Sequence, residues 1–415
     1  MNPGRVEGRR ARVLSVVGTR PEGIKLAPVI EQLARRADEL ESRVVVTGQH
    51  SDMLDQVFRL FGVERDYDLQ IMREGQDLHH VTTACLEGLK PIMQEYRPDM
   101  VLVQGDTASA FVGSLSAFYH RIRVGHVEAG LRSGEKWSPF PEEMFRRLAD
   151  VLTDCHFAPT PRAAGFLRRE GYPKSSVYLT GNTVIDALLA VAASDAPAEH
   201  PQLQRLLTSP GRLALLTVHR RESFGSTMRG IFTAVRAIAD RCVDVDFVFP
   251  VHPNPNVRVL AHEMLGGHDR IHLVEPLSYL DLVRVMQRSS LVLTDSGGIQ
   301  EEAPTFAVPV LVLREVTERP EGVEAGVVQL VGTSPPAIVE AACRRLADDA
   351  PGGAAQGRSN PYGDGRAAER VVDIVANTLC GSPRRTTDWS GSGETESKDP
   401  ERTASPQAGT PGLRA

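Results

Sequence analysis

The stretch Val13-Leu14-Ser15-Val16-Val17-Gly18-Thr19-Arg20-Pro21-Glu22-Gly23-Ile24-Lys25 runs from an apolar, β-branched segment through a glycine turn into Leu26-Ala27-Pro28-Val29-Ile30. Its length and composition predict a buried parallel strand, then a tight turn, then a helix start. Gly18 frees the turn and Pro21 suits a first helical turn. Backbone N–H groups at such a start face an anion well, and Arg20 and Lys25 bring one planar fork and one point charge to the same place. The spacing alone also fits an ordinary βα loop with two solvated cations.

Outward from this loop, strand-like runs alternate with helical patterns in two series, the signature of parallel α/β architecture. The first holds Val13 to Val17, Arg43 to Thr47, Met100 to Gln104, Val124 to Val127 and Cys155 to Ala158. The second holds Leu213 to Val218, Asp246 to Pro250, Ile271 to Val274, Ser290 to Thr294 and Val308 to Val312. Between them, Tyr178 to Thr183 is a natural crossing point. Two Rossmann-like, doubly wound domains are therefore expected, residues 11–181 and 182–365, with a ligand in the cleft between them. A helix over 366–380 is expected to close the chain by packing back on the first domain. Residues 381–415, rich in Ser, Pro, Gly, Thr and charge with Trp389 as their single aromatic residue, are expected to be disordered.

The 415 residues suffice for two cores, and a net charge of −6 gives no reason to expect nucleic acid as a partner, so any phosphate affinity is local. No run reaches transmembrane length, and residues 1–12 are polar and Arg-rich, so a cytoplasmic protein with no membrane partner is expected. The five cysteines (Cys85, Cys155, Cys242, Cys343, Cys380) are scattered and never form C-x-x-C, against a disulfide frame or a structural metal site.

The polar residues that invite chemistry fall just past these strands. Asp106 follows the third strand in Gln104-Gly105-Asp106-Thr107, and Glu128 follows the fourth. Glu142 then opens a helix after Ser138-Pro139-Phe140-Pro141, with Arg146 one turn later. Singly, Asp106 suits a turn or helix cap, and Glu142 with Arg146 a surface pair. Together, three carboxylates and an arginine on one edge suit acid–base work. In the second half, His219 ends a strand inside the basic cluster His219-Arg220-Arg221, and His252 follows the next strand. Ser296, Gly297 and Gly298 open a helix after a buried strand, a place for a diphosphate, with Glu302 about one turn on for ribose hydroxyls.

These motifs, in this order, resemble the non-hydrolysing UDP-N-acetylglucosamine 2-epimerases. The match runs from about Val13 to Leu379 through GTRPEGIK (18–25), TGQHSDMLDQVF (47–58), QGDT (104–107), GHVEAGLRSG (125–134), SPFPEEMFRR (138–147), TGNTVIDAL (180–188), TVHRRESFG (217–225), PVHPNPNVR (250–258), TDSGGIQEEAP (294–304), RPEGVEAG (319–326) and NPYGDG (360–365). The resemblance implies a glycosyltransferase-B type fold, a homodimer, and interconversion of UDP-GlcNAc and UDP-ManNAc without metal or nicotinamide. UDP leaves to give 2-acetamidoglucal and then returns, with a proton delivered to the other face of C2. By resemblance Arg20, Lys25, His219 and Ser296 to Gly298 would stabilise the departing diphosphate. Asp106, Glu128 and Glu142 would move protons, while Arg132 and Arg146 would orient the sugar or hold those carboxylates ionised.

Some positions depart from the family pattern. Phe145 stands where an asparagine is common, and Leu282 where an aromatic residue often lies against uracil. Gln49, Arg221 and His252 match residues through which some relatives bind a second, activating UDP-GlcNAc, whereas Asp52 and Gly75 replace a glutamine and an arginine of that site. The alternatives are a 2-epimerase for a modified UDP-sugar, such as a diacetamido-uronic acid, and a glycosyltransferase of the same fold.

Overall fold

The computed structural model describes residues 9–48, 51–73, 75–347 and 359–391. Apolar runs become strands wherever both faces are covered. β1 (Ala11–Val17), β2 (Leu40–Val46), β3 (Tyr67–Asp68), β4 (Met100–Gln104), β5 (Arg123–Val127), β6 (Cys155–Ala158) and β7 (Val177–Leu179) form one parallel sheet in the order β3-β2-β1-β4-β5-β6-β7. β8 (Arg212–Thr217), β9 (Val245–Pro250), β10 (Ile271–Val274), β11 (Ser289–Thr294), β12 (Val310–Val312) and β13 (Val328–Leu330) form a second, ordered β10-β9-β8-β11-β12-β13. Both are α/β and doubly wound, so the expected fold class holds.

β3, β7 and β13 were not expected from sequence. All three lie at sheet edges and have only two or three residues, too few to carry a readable period. β7 (Val177–Leu179) occupies the first part of what looked like the crossing point.

The helix Thr183–Ala193, assigned by sequence to the second unit, packs on Arg20–Ala34 and Ala367–Cys380 and also touches Tyr279–Arg288 and Gly297–Glu302. Its buried Val184 and Leu188 belong to one apolar core that runs from Val13 and Leu26 to Leu280 and Val292. Each such side chain contributes roughly 1.5–3 kcal/mol on burial, so the two sheets share a hydrophobic seam as well as a cleft. No helix among the described residues is long and apolar enough to cross a membrane.

The expectation of disorder from residue 381 onward is wrong for its first part. Gly381 ends the last helix in the left-handed region (φ 70°) and turns the chain back. Trp389 is buried, and its backbone N–H donates to the Leu179 carbonyl at 2.8 Å, while the Asp373 carboxylate accepts from the backbone N–H groups of Arg385 and Thr386. One aromatic side chain and one capping carboxylate outweigh the polar composition. Residues 392–415 lie outside the described residues.

Candidate active site

The carboxyl ends of β1, β4, β5, β8, β9 and β11 carry the residues that face the cleft, as open parallel sheets require. A cavity of about 550 Å³ opens there, lined by Arg20 and Lys25 from the first sheet's side and by His219, His252, Leu282, Ser296, Gly298, Glu302 and Arg319 from the second.

The opening loop is built as its sequence suggests. Thr19 precedes the helix Arg20–Ala34 in extended conformation, and Glu22 reaches back so that its Oε2 accepts from the N–H groups of Gly18 and Thr19 at 2.9 and 2.5 Å. Its Oε1 accepts from the Thr107 hydroxyl at 2.6 Å, which joins this turn to the one carrying Asp106. Thr107 also caps the helix Ala108–Tyr119 by accepting from the Ala110 N–H.

The charged residues form one chain across the cleft. The Lys25 ammonium bonds the Glu128 carboxylate, the Arg146 guanidinium lies 3.7 Å from the other Glu128 oxygen, and Arg146 bonds Asp106. Glu128 has φ 66°, a left-handed conformation uncommon outside glycine, and stored strain of this kind collects at functional sites. Burial pushes its carboxyl upward, but Lys25 and then Arg146 outweigh burial and hold it well below the usual carboxylate range. Asp106 is more open, its side chain 27% exposed. Glu142 is half-buried at the start of the helix Glu142–Val151 and makes no hydrogen bond among the described residues. Its neighbour Glu143 is turned inward and accepts from the Ser133 N–H at 2.8 Å.

Arg132 does not join this group. Its buried guanidinium forks onto Glu170 at 2.8 and 2.7 Å and lies 2.8 Å from Asp150, so its donors are spent on structure. Asp150 also holds His126 Nδ1 at 2.7 Å, and His126 Nε2 lies 2.8 Å from the Gly105 carbonyl, beneath the Asp106 turn. Sequence offered no signal for these partners, because Asp150 and Glu170 follow in later helices.

On the other wall, the His219 N–H donates to Asp295, and its ring stacks on His252 with centroids 5.7 Å apart. Burial and the neighbouring His252 and Arg220 outweigh Asp295 and hold the His219 pKa below the ordinary histidine value. Ser296 makes no side-chain cap bond, so the N–H groups at the start of Gly297–Glu302 are left unbridged by it. Glu302 is buried with its Oε1 3.4 Å from the Tyr279 hydroxyl. Burial first, then the like charge of Glu301, push its carboxyl up to about 8. Arg221 is exposed on the turn Arg221–Ser223 and does not line the cavity, whereas His252 does. Gln49 lies outside the described residues. Sequence reasoning missed Asn182, Tyr279, Glu301 and Arg319, although all but Tyr279 stand inside conspicuous motifs.

Two Rossmann-like sheets that close on a cleft of cations, buried carboxylates and histidines define an enzyme of the glycosyltransferase-B architectural class. The family model for UDP-N-acetylglucosamine 2-epimerase matches residues 32–376, and the chain belongs to that family. It is 49% identical to the UDP-N-acetylglucosamine 2-epimerase of Yersinia pestis over 371 residues, 88% of this chain and 98% of that protein. Among solved structures it resembles the S. aureus MnaA–UDP co-structure (46% identity, TM-score 0.81, 91% of this chain and 100% of that one). It also resembles the Neisseria meningitidis UDP-GlcNAc 2-epimerase bound to UDP-GlcNAc (42% identity, TM-score 0.79, 89% and 100%).

Proposed function

We propose that this protein interconverts UDP-GlcNAc and UDP-ManNAc by eliminating UDP and adding it back. The observation that carries the proposal is the continuous chain Lys25–Glu128–Arg146–Asp106, which joins a cation-lined cavity to carboxylates at the same sheet edge. In the forward half-reaction the anomeric C1–O bond breaks, its electron pair leaves with UDP, and a carboxylate takes the C2 proton as C1=C2 forms. Arg20, Lys25, His219 and the Ser296 to Gly298 turn stabilise the charge on the departing diphosphate, the kind of electrostatic assistance that often supplies the largest catalytic term. Asp106, Glu128 and Glu142 supply proton transfer on the two faces of C2, and Arg146 holds Asp106 and Glu128 on one guanidinium. Arg132 acts only by holding the backbone near Gly130 and Asp150.

Leu282 gives the base an aliphatic contact, and Glu302 accepts from ribose hydroxyls. Residues 11–181 with the closing helix and 182–365 serve as the two halves that meet on the substrate. A cytoplasmic homodimer is the proposed form, supported by exposed Phe118, Tyr119, Trp137, Phe140 and Val151 on and beside the helices Ala108–Tyr119 and Glu142–Val151.

The test is incubation with UDP-GlcNAc in D₂O, followed by NMR. Deuterium at C2 with UDP-ManNAc appearing is the expected result. Free ManNAc with UDP, or an unchanged spectrum, would overturn the proposal in favour of hydrolysis or of another substrate.

A further inference from the structure

Asn182, which precedes the helix Thr183–Ala193, is 2% exposed, and its side chain has every polar function engaged. Its Oδ1 accepts from the Val184 N–H at 3.1 Å and so caps the helix Thr183–Ala193. That bond fixes which end of the amide is oxygen, and the Nδ2 group must then point the other way. There it donates to Glu128 Oε2 at 3.2 Å and to Glu301 Oε2 at 3.1 Å. The backbone N–H of Asn182 donates to the Tyr362 carbonyl at 2.7 Å, which pins the residue from behind.

The two carboxylates belong to different sheets. Glu128 follows β5, and Glu301 stands in the helix after β11. Lys25 and Arg146 face Glu128, while Arg319 bonds Glu301, and Glu302 and Tyr362 lie close to Glu301. Lys25, Glu301 and Arg319 all line the cavity. One neutral amide therefore lies between two buried carboxylates and gives each a donor beside the cations Lys25, Arg146 and Arg319; without it Glu301 Oε2 would lose its donor and Glu128 Oε2 one of two.

We infer that Asn182 is a positioning residue: its amide aims the ionised Glu128 and ties that aim to Glu301 on the second sheet. This rests on the proposed role of Glu128 in proton transfer. A carboxylate whose orientation depends on a donor shared with the opposite sheet is fully aligned only when both sheets are in place around the cavity.

The decisive variant is Asn182→Asp, which keeps the shape and the capping oxygen but replaces both donors with an acceptor. At pH 8 its kcat is expected to fall about 100-fold, the scale of a misplaced reacting group, with KM and UDP affinity within about threefold of the parent. As pH falls, the introduced acid takes up a proton and donates again, so kcat relative to wild type at the same pH recovers. Asn182→Ser keeps a capping oxygen with fewer donors and is expected to lie between the two without the pH-dependent recovery. A loss that is equal at every pH and accompanied by a parallel loss of UDP affinity would reduce Asn182 to a helix cap and overturn the inference. Should the wild type fail to turn over UDP-GlcNAc, the proposed function falls and the amide is read by melting instead. The Asn182→Asp melting deficit must then grow from pH 5 to pH 8, because an acid placed between two anions is stable only while protonated; a constant deficit overturns the inference.

Discussion

Binding of UDP should expel a proton from Glu302, and the structure sets how many. The Glu302 carboxyl is buried beside Glu301, with Lys25, the Tyr279 hydroxyl and Arg20 only partly offsetting the cost, and its pKa is pushed up to about 8. At pH 7 it is therefore about nine-tenths protonated. Ribose hydroxyls that donate to it favour the charged form and return the pKa toward the ordinary carboxylate range. Binding then releases about 0.9 proton per UDP at pH 7, about 0.5 at pH 8 and about 0.1 at pH 9. Since only the ionised form accepts both hydroxyls, affinity rises about tenfold, or about 1.4 kcal/mol, from pH 7 to pH 9. Over that range the phosphate is already ionised, and burial holds the His219 pKa below the ordinary histidine value. Calorimetry in two buffers of different ionisation enthalpy counts the protons directly. Glu302→Gln should release none and should bind with little dependence on pH. Proton release near zero in the wild type at pH 7, or unchanged release in the variant, would refute the placement of Glu302 against the ribose.

Three further perturbations follow from the same geometry. Asp106→Asn should lower kcat by about 10²–10⁴-fold, the usual worth of an acid–base group, while UDP affinity by calorimetry stays close to wild type, because the nucleotide rests on other residues. Lys25→Met leaves Glu128 buried with only Arg146 and Asn182 as partners and should cost about 3–5 kcal/mol in denaturant unfolding, as breaking a buried pair does, besides weakening UDP binding. Trp389→Ala should destabilise by about 3–5 kcal/mol in the same measurement, the cost of emptying a large aromatic site.

What could be read from the chain, and what could not, follows from the range of each interaction. β1 and its turn were legible because they rest on local periodicity and on Gly18, Thr19 and Pro21. The same holds for the strands ending at Gln104, Val127, Thr217 and Thr294. Arg132 was misplaced because an arginine in a motif carries no mark of its partner, and Glu170 stands 38 residues away. The edge strands failed for want of length, and the tail failed because composition averages away a single Trp389. Asn182 was missed altogether: its amide gains its meaning from Glu128 and Glu301, brought together only by the two sheets.

The same point bears on the opening loop. Arg20 and Lys25 share one short loop and helix start and looked like one anion site, yet they are differently committed. Among the described residues the Arg20 side chain makes a single hydrogen bond, 3.3 Å to the Leu277 carbonyl, and it borders the cavity beside Glu302 and Tyr279. Lys25 is already paired with Glu128. An incoming diphosphate therefore meets one cation that is nearly free and one that must be shared with a carboxylate. In the proposed elimination, negative charge growing on the leaving group would draw Lys25 toward it and weaken the field that holds the Glu128 carboxyl low. Glu128 would then become a stronger base as the bond to UDP breaks. That coupling would run in the direction an elimination needs, since C2 gives up its proton only as C1 loses its oxygen. On this proposal Lys25 would link leaving-group charge to proton affinity, and Asn182, which has no charge to lose, would keep Glu128 aimed while that link operates.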